Sequence, residues 1–126
     1  MKRGWIALTM FILSLLLGGF EYLYVNSTTE MYLKMLDDAD EKMVKNQTAD
    51  AGSVAERLDH RFQNDAALLS VFMYHSEVND VGYHLAKMRR YAQTGDVEEF
   101  LASSAVAKRE ILDIKDSKTL KWENVF

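Results

Sequence analysis

Between Gly4 and Phe20 the chain carries no charged residue, and Trp5-Ile6-Ala7-Leu8-Thr9-Met10-Phe11-Ile12-Leu13-Ser14-Leu15-Leu16-Leu17 is almost wholly apolar. After Glu21 the apolar character resumes with Tyr22-Leu23-Tyr24-Val25. As an α-helix rising 1.5 Å per residue, Gly4 to Val25 reaches about 33 Å, enough to cross a hydrocarbon core of about 30 Å. Trp5 at one end and Phe20, Tyr22 and Tyr24 at the other stand where interfacial aromatic belts sit. Residues 4–25 are therefore expected to form a transmembrane helix.

Charge gives that helix a direction. Lys2 and Arg3 precede the span, the next basic residue is Lys34, and Glu21 and Glu30 lie between. The positive-inside rule then keeps residues 1–3 in the cytoplasm and sends residues 26–126 to the extracytoplasmic side. A cleaved signal peptide shares the basic start and the apolar run, but cleavage after Gly19 would place Leu17 where a small residue is wanted. The expectation is an uncleaved signal anchor in the cell membrane, crossing it once.

The remaining length suits one small domain. The absence of Pro in 126 residues favours long unbroken helices, because Pro removes a helical hydrogen bond and clashes with the preceding turn. The absence of Cys excludes disulfides, thiolate metal sites and a Cys nucleophile. A net charge of −4 disfavours nucleic acid, whose affinity comes from phosphate neutralisation by Lys and Arg.

Beyond the span the apolar residues fall at helical spacing. Ser27-Thr28-Thr29-Glu30 has the form of a capping box. A first helix then runs to about Lys45 with Met31, Met35 or Leu36, Ala39 and Met43 on one face. Residues 46–50 read as a turn. A second helix carries Ala51, Ala55, Leu58, Phe62, Leu69 and Phe72, and a third, from about Ser76, carries Val78, Val81, Leu85, Met88 and Ala92. The alternating three- and four-residue spacing is the seam of helices packed near 20°. Gly95 suits a left-handed helix end, and Asp96 with Glu99 forms a second capping box. The last helix holds Val97, Phe100 or Leu101, Ser104, Ala107, Ile111 and Ile114, then frays into an apolar tail with Leu120, Trp122 and Phe126. The fold class is all-α: a transmembrane helix followed by an up-and-down antiparallel bundle of four helices, or three if the second and third are continuous through residues 74–76. The tail is expected to return to the membrane face.

Residues with chemistry to offer are few. Asp80 and His84 are four apart and suited to pairing, but a catalytic zinc needs three protein ligands and an open position. Asp37-Asp38-Ala39-Asp40-Glu41 falls within a periodic helix, where carboxylates point around the circumference as a solvated face; calcium loops need a turn. Ser103 and Ser104 lack a nucleophile elbow. Arg89 and Arg90 near Lys87 form a local basic patch, diluted by Glu77 and Asp80. No catalytic, cofactor-binding or metal-ligating residue is assigned. The better cues lie in the span. Ser14 and Gly18 are four apart, the small-xxx-small spacing that admits a second helix, Gly19 widens that notch, and Glu21 places an ionisable group at the outer edge.

The start Lys2-Arg3-x-Trp5-Ile6 and the run Gly19-x-Glu21-x-x-Tyr24-Val25-Asn26-x-x-Thr29 resemble small Firmicute membrane proteins grouped as domain of unknown function 4363. The later pattern Phe72-x-x-His75-x-x-Val78-x-x-Val81-x-x-x-Leu85-x-x-Met88-x-x-Tyr91 and the ending Leu120-x-x-Glu123-Asn124-Val125-Phe126 agree with it. Phe62 stands where the family is expected to carry Trp, and Glu77 supplies the carboxylate expected after His75. The resemblance implies a bacterial, membrane-anchored protein with no assigned activity and no known catalytic residues, encoded beside small polytopic membrane proteins.

The expected function is non-enzymatic: an anchored accessory protein. Its partners are the lipid bilayer and a polytopic membrane protein or a second copy. Ser14, Gly18, Gly19 and Glu21 supply the interface within the membrane, and Leu120, Trp122 and Phe126 a docking tail. The alternative is a ligand-sensing bundle with a small molecule between the second and third helices. With three residues ahead of Gly4, such a sensor is expected to act through a partner or as a homodimer.

Overall fold

The computed structural model describes residues 2–125, with side chains from 2 to 116. Helix accounts for 94% of the described residues, and none of them is in a strand. The order is α1 (Lys2–Val44), α2 (Thr48–Phe72), α3 (His75–Thr94) and α4 (Val97–Val125).

The expected capping box at Ser27 does not start a helix, because α1 runs through it for 43 residues without a break. Thr29 instead donates its hydroxyl back to the carbonyls of Val25, at 2.7 Å, and Asn26, at 3.1 Å. Within a continuous helix the N–H groups of that turn already have carbonyl partners, so nothing there needs a cap. The apolar segment and the first bundle helix form one rod of about 65 Å.

Each later boundary has a local cause. Asn46 takes a left-handed φ of 62°, and the Gln47 N–H reaches the Lys42 carbonyl at 2.9 Å. Gly95, at φ 74°, ends α3 in the same way, with the Asp96 N–H on the Tyr91 carbonyl at 3.0 Å. Both are Schellman ends, which satisfy the last carbonyls of a helix. Asp96 then accepts the Glu99 N–H at 3.2 Å and opens α4 as expected. Between α2 and α3, Met73 (ψ 161°) and Tyr74 (ψ 141°) are extended, so these are two helices rather than one rod. α4 stays helical to Val125 where the sequence reading has a frayed end.

The helices pack in a ring: α1 on α2, α2 on α3, α3 on α4, and α4 back on α1. The predicted seam of α3 is buried throughout, as are Ala51, Ala55, Leu58, Phe62 and Leu69 of α2 and Phe100, Ser104, Ala107, Ile111 and Ile114 of α4. In α1 the buried side chains are Val25, Thr28, Thr29, Tyr32, Leu36, Ala39 and Met43, whereas Met31 and Met35 pack at the margin. The core begins at Val25, where the apolar run ends.

Leu58→Ala, at a fully buried site, is expected to destabilise the bundle by about 2–5 kcal/mol. Leu112→Ala, at an exposed site, is expected to change stability by less than about 0.5 kcal/mol. Denaturation of the detergent-solubilised protein, followed by circular dichroism, measures both.

Candidate functional site

From its start to Leu17 α1 is exposed at every position, and large apolar side chains, among them Trp5, Phe11, Leu16 and Leu17, form a sleeve there that continues at Phe20 and Leu23. None of the most apolar window of this helix is buried, and by length and composition the helix can cross a membrane. Burying one such side chain is worth about 1.5–3 kcal/mol, so a row of them requires an apolar surrounding.

Ser14 lies on this sleeve and donates its hydroxyl to the Met10 carbonyl at 2.9 Å, which removes its polarity from the surface. Gly18 and Gly19 are half-buried one turn further on, and Glu21 is half-buried beside them. A Cβ at Gly19 would meet nothing within 4 Å, so contacts within the described residues do not require glycine at that position. Leu120 and Trp122 belong to α4, but their side chains, and all of Phe126, lie outside the described residues.

The polar side chains of the bundle mostly pair with one another. Asp59, only 2% exposed, receives Arg89 of α3 at 3.2 Å and Gln63 at 3.3 Å, and Arg89 also reaches Glu56 at 3.3 Å. The basic patch expected at Lys87, Arg89 and Arg90 is thereby divided: Arg89 turns onto α2, and Lys87 lies over the Tyr83 ring at 4.5 Å. The acidic run of α1 is largely solvated, as expected, with Asp37 73% exposed, and it is also cross-linked by charge. Asp38 holds Lys42, Glu41 holds Lys45, and Lys108 of α4 bridges Asp37 and Asp40. Tyr32 donates its hydroxyl to Asp65 at 2.6 Å and packs edge-on against Phe62. Burial, reinforced by the Asp65 carboxylate, raises its pKa far above the ordinary phenol value.

His84 faces Glu110 of α4 at 3.6 Å rather than Asp80, its expected neighbour along the helix. Glu77, Asp80, Glu110, Asp113 and Ile114 line a groove of about 190 Å³ between α3 and α4. Burial, with Asp80 and Asp113 nearby, raises the Glu110 pKa despite the opposing His84. Among the described residues no group of three or more His, Asp or Glu is arranged to hold a metal ion. Ser104 is fully buried and its hydroxyl has no hydrogen-bond partner, so no base activates it.

The molecule is thus a four-helix bundle whose first helix extends far beyond the core as an apolar rod. Residues 20–125 match the family described as Domain of unknown function (DUF4363), and the chain belongs to that family. The match covers the bundle and begins at Phe20, after most of the exposed sleeve. Comparisons with curated proteins and with solved structures gave no match.

Two pH effects follow from the buried groups. Tyr32 keeps its proton in the folded state above the ordinary value of 10.0, where the unfolded chain releases it. Stability is therefore expected to fall as pH rises beyond about 10. Tyr32→Phe is expected to reduce that slope, at a cost near neutrality of about 1–2 kcal/mol for the lost hydrogen bond. Glu110 is likewise better protonated in the fold, so its contribution is full below the ordinary value of 4.5 and lost as pH rises through its raised value. Glu110→Gln is expected to flatten stability across that window. Urea titrations at a series of pH values check both variants.

Proposed function

We propose that the chain is a non-enzymatic, single-pass membrane protein of the cell envelope that serves as an accessory or interaction partner of another membrane protein. Residues 1–3 lie in the cytoplasm, residues 4–25 are an uncleaved signal anchor, and residues 26–126 form the extracytoplasmic bundle. Lys2 and Arg3 ahead of the apolar segment support this orientation. The observation that carries the reading is the continuity of α1, which joins an exposed apolar rod to a bundle core in one helix. In such a protein the span and the folded domain move as a unit, which suits a component that holds or reports the position of a neighbour.

The contact within the bilayer is assigned to the face with Ser14, Gly18 and Gly19. The silenced Ser14 hydroxyl and the open space at Gly19 leave room for a second helix to approach closely, and Glu21 gives that contact an ionisable edge. The α4 tail, with Leu120, Trp122 and Phe126, supplies a second contact at the membrane face. The partner is a polytopic membrane protein or a second copy of this chain. The ion pairs that occupy Arg89 on α2 disfavour an anionic small ligand between α2 and α3, because they engage the cation such a ligand would use.

In-cell cross-linking and purification of the tagged full-length protein from native membranes in mild detergent test the reading. A single stoichiometric membrane partner is expected, and Gly19→Leu is expected to abolish its recovery while helicity is unchanged. Recovery of self-cross-links alone would replace the accessory role with a homodimer.

A further inference from the structure

The turn between α2 and α3 lies unusually far along α1. The Phe72 ring at the end of α2 packs between two rings of α1, with centroids 6.2 Å from Phe20 and 6.1 Å from Tyr24. This register sets the turn at the level of residues 20–24, inside the outer end of the segment 4–25. At 1.5 Å per residue that level is about 27 Å from Gly4, close to the far boundary of a hydrocarbon core of about 30 Å.

The turn is built to suit such a place. From Ala66 to Ser76 there is no Asp, Glu, Lys or Arg, which makes this the longest such run after Glu21. Val71 is 72% exposed and Tyr74 77% exposed, and Leu68 is exposed on the preceding turn of α2. Phe20 and Leu23, exposed at the same level of α1, make this surface continuous with the apolar sleeve. Backbone sets a limit on depth. The extended residues Met73 and Tyr74 interrupt the helical ladder, and polar groups at a helix break need water or headgroups rather than hydrocarbon.

We infer that the α2–α3 turn is a second membrane contact, inserted into the outer leaflet at the headgroup–acyl boundary. Val71 reaches the upper acyl region and the Tyr74 ring lies among the headgroups. The inference rests on the spanning role of α1. The occupant is lipid, because the register with α1 brings the turn to bilayer depth and the exposed Leu68, Val71 and Tyr74 lie in a run without Asp, Glu, Lys or Arg. An apolar contact of this kind does not depend on anionic headgroups. Its consequence is a bundle held at two points, by α1 and by the turn packed beside it, so that it stands in a fixed orientation on the membrane.

The absence of Cys allows the test to be made on the full chain. Leu13→Cys, Lys45→Cys, Val71→Cys and Tyr74→Cys are each labelled with a polarity-sensitive fluorophore in phosphatidylcholine vesicles. Val71 and Tyr74 are exposed, so their replacement removes little packing, and circular dichroism verifies the fold. Labels at 71 and 74 are expected to show blue-shifted emission, strong quenching by lipid carrying a nitroxide near the headgroup and little by iodide. Added phosphatidylglycerol is expected to leave these signals unchanged. The Lys45→Cys label marks the aqueous limit and the Leu13→Cys label the bilayer interior. If 71 and 74 respond to iodide as 45 does while 13 remains lipid-quenched, the inference fails and the anchor stands. If 13 also responds to iodide, the spanning role itself fails. Labels at 71 and 74 shielded from both quenchers would overturn the inference in favour of a protein cover.

Discussion

One unbroken hydrogen-bond ladder serves two different surroundings in this molecule. α1 satisfies its own backbone along its length, so the same helix can present an apolar sleeve all round in one half and a single buried stripe in the other. The change occurs near Val25, where the core begins and the apolar run ends. Everything else is placed relative to that helix: α2 returns along it, α4 closes against it, and Tyr32, Leu36, Ala39 and Met43 supply its share of the core.

The charges of the bundle reinforce this arrangement between neighbours in the ring. Arg89 ties α3 to the buried Asp59 of α2, Lys108 ties α4 to Asp37 and Asp40 of α1, and His84 faces Glu110 across α3 and α4. Asp59 is the most demanding of these, because a buried carboxylate without its partners would be strongly destabilising. Such pairs fix which helices are adjacent and in what register, something apolar seams alone specify weakly.

Much of this was legible in the sequence. The seam Val78, Val81, Leu85, Met88 and Ala92 was plain because its spacing has one physical reading, and Gly95 because a left-handed helix end favours the residue without a side chain. Family membership was legible too, carried by the order of the motifs rather than by any single one. What was missed depended on distant parts of the chain. Burial of Asp59 is invisible without Arg89, thirty residues away, and the pairing of Asp40 is invisible without Lys108. Tyr32 rather than Met31 faces inward because Asp65 waits for its hydroxyl. The capping box failed because a local motif cannot tell whether the helix ahead of it has ended. Ser14, Gly18, Gly19 and Glu21 lie on the apolar segment of α1, where the sequence places them.

The ring closes through its most distant pair. The bonds of Lys108 to Asp40 and of Lys115 to Glu30 join α4 to α1 across 68 and 85 residues of sequence. As the chain is synthesised, α1 emerges before α4, so that seam cannot form until α2 and α3 have also been made. Closure of the ring is therefore gated by the arrival of α4, and a nascent chain that stalls before Lys108 leaves the core faces of α1 and α3 without that helix.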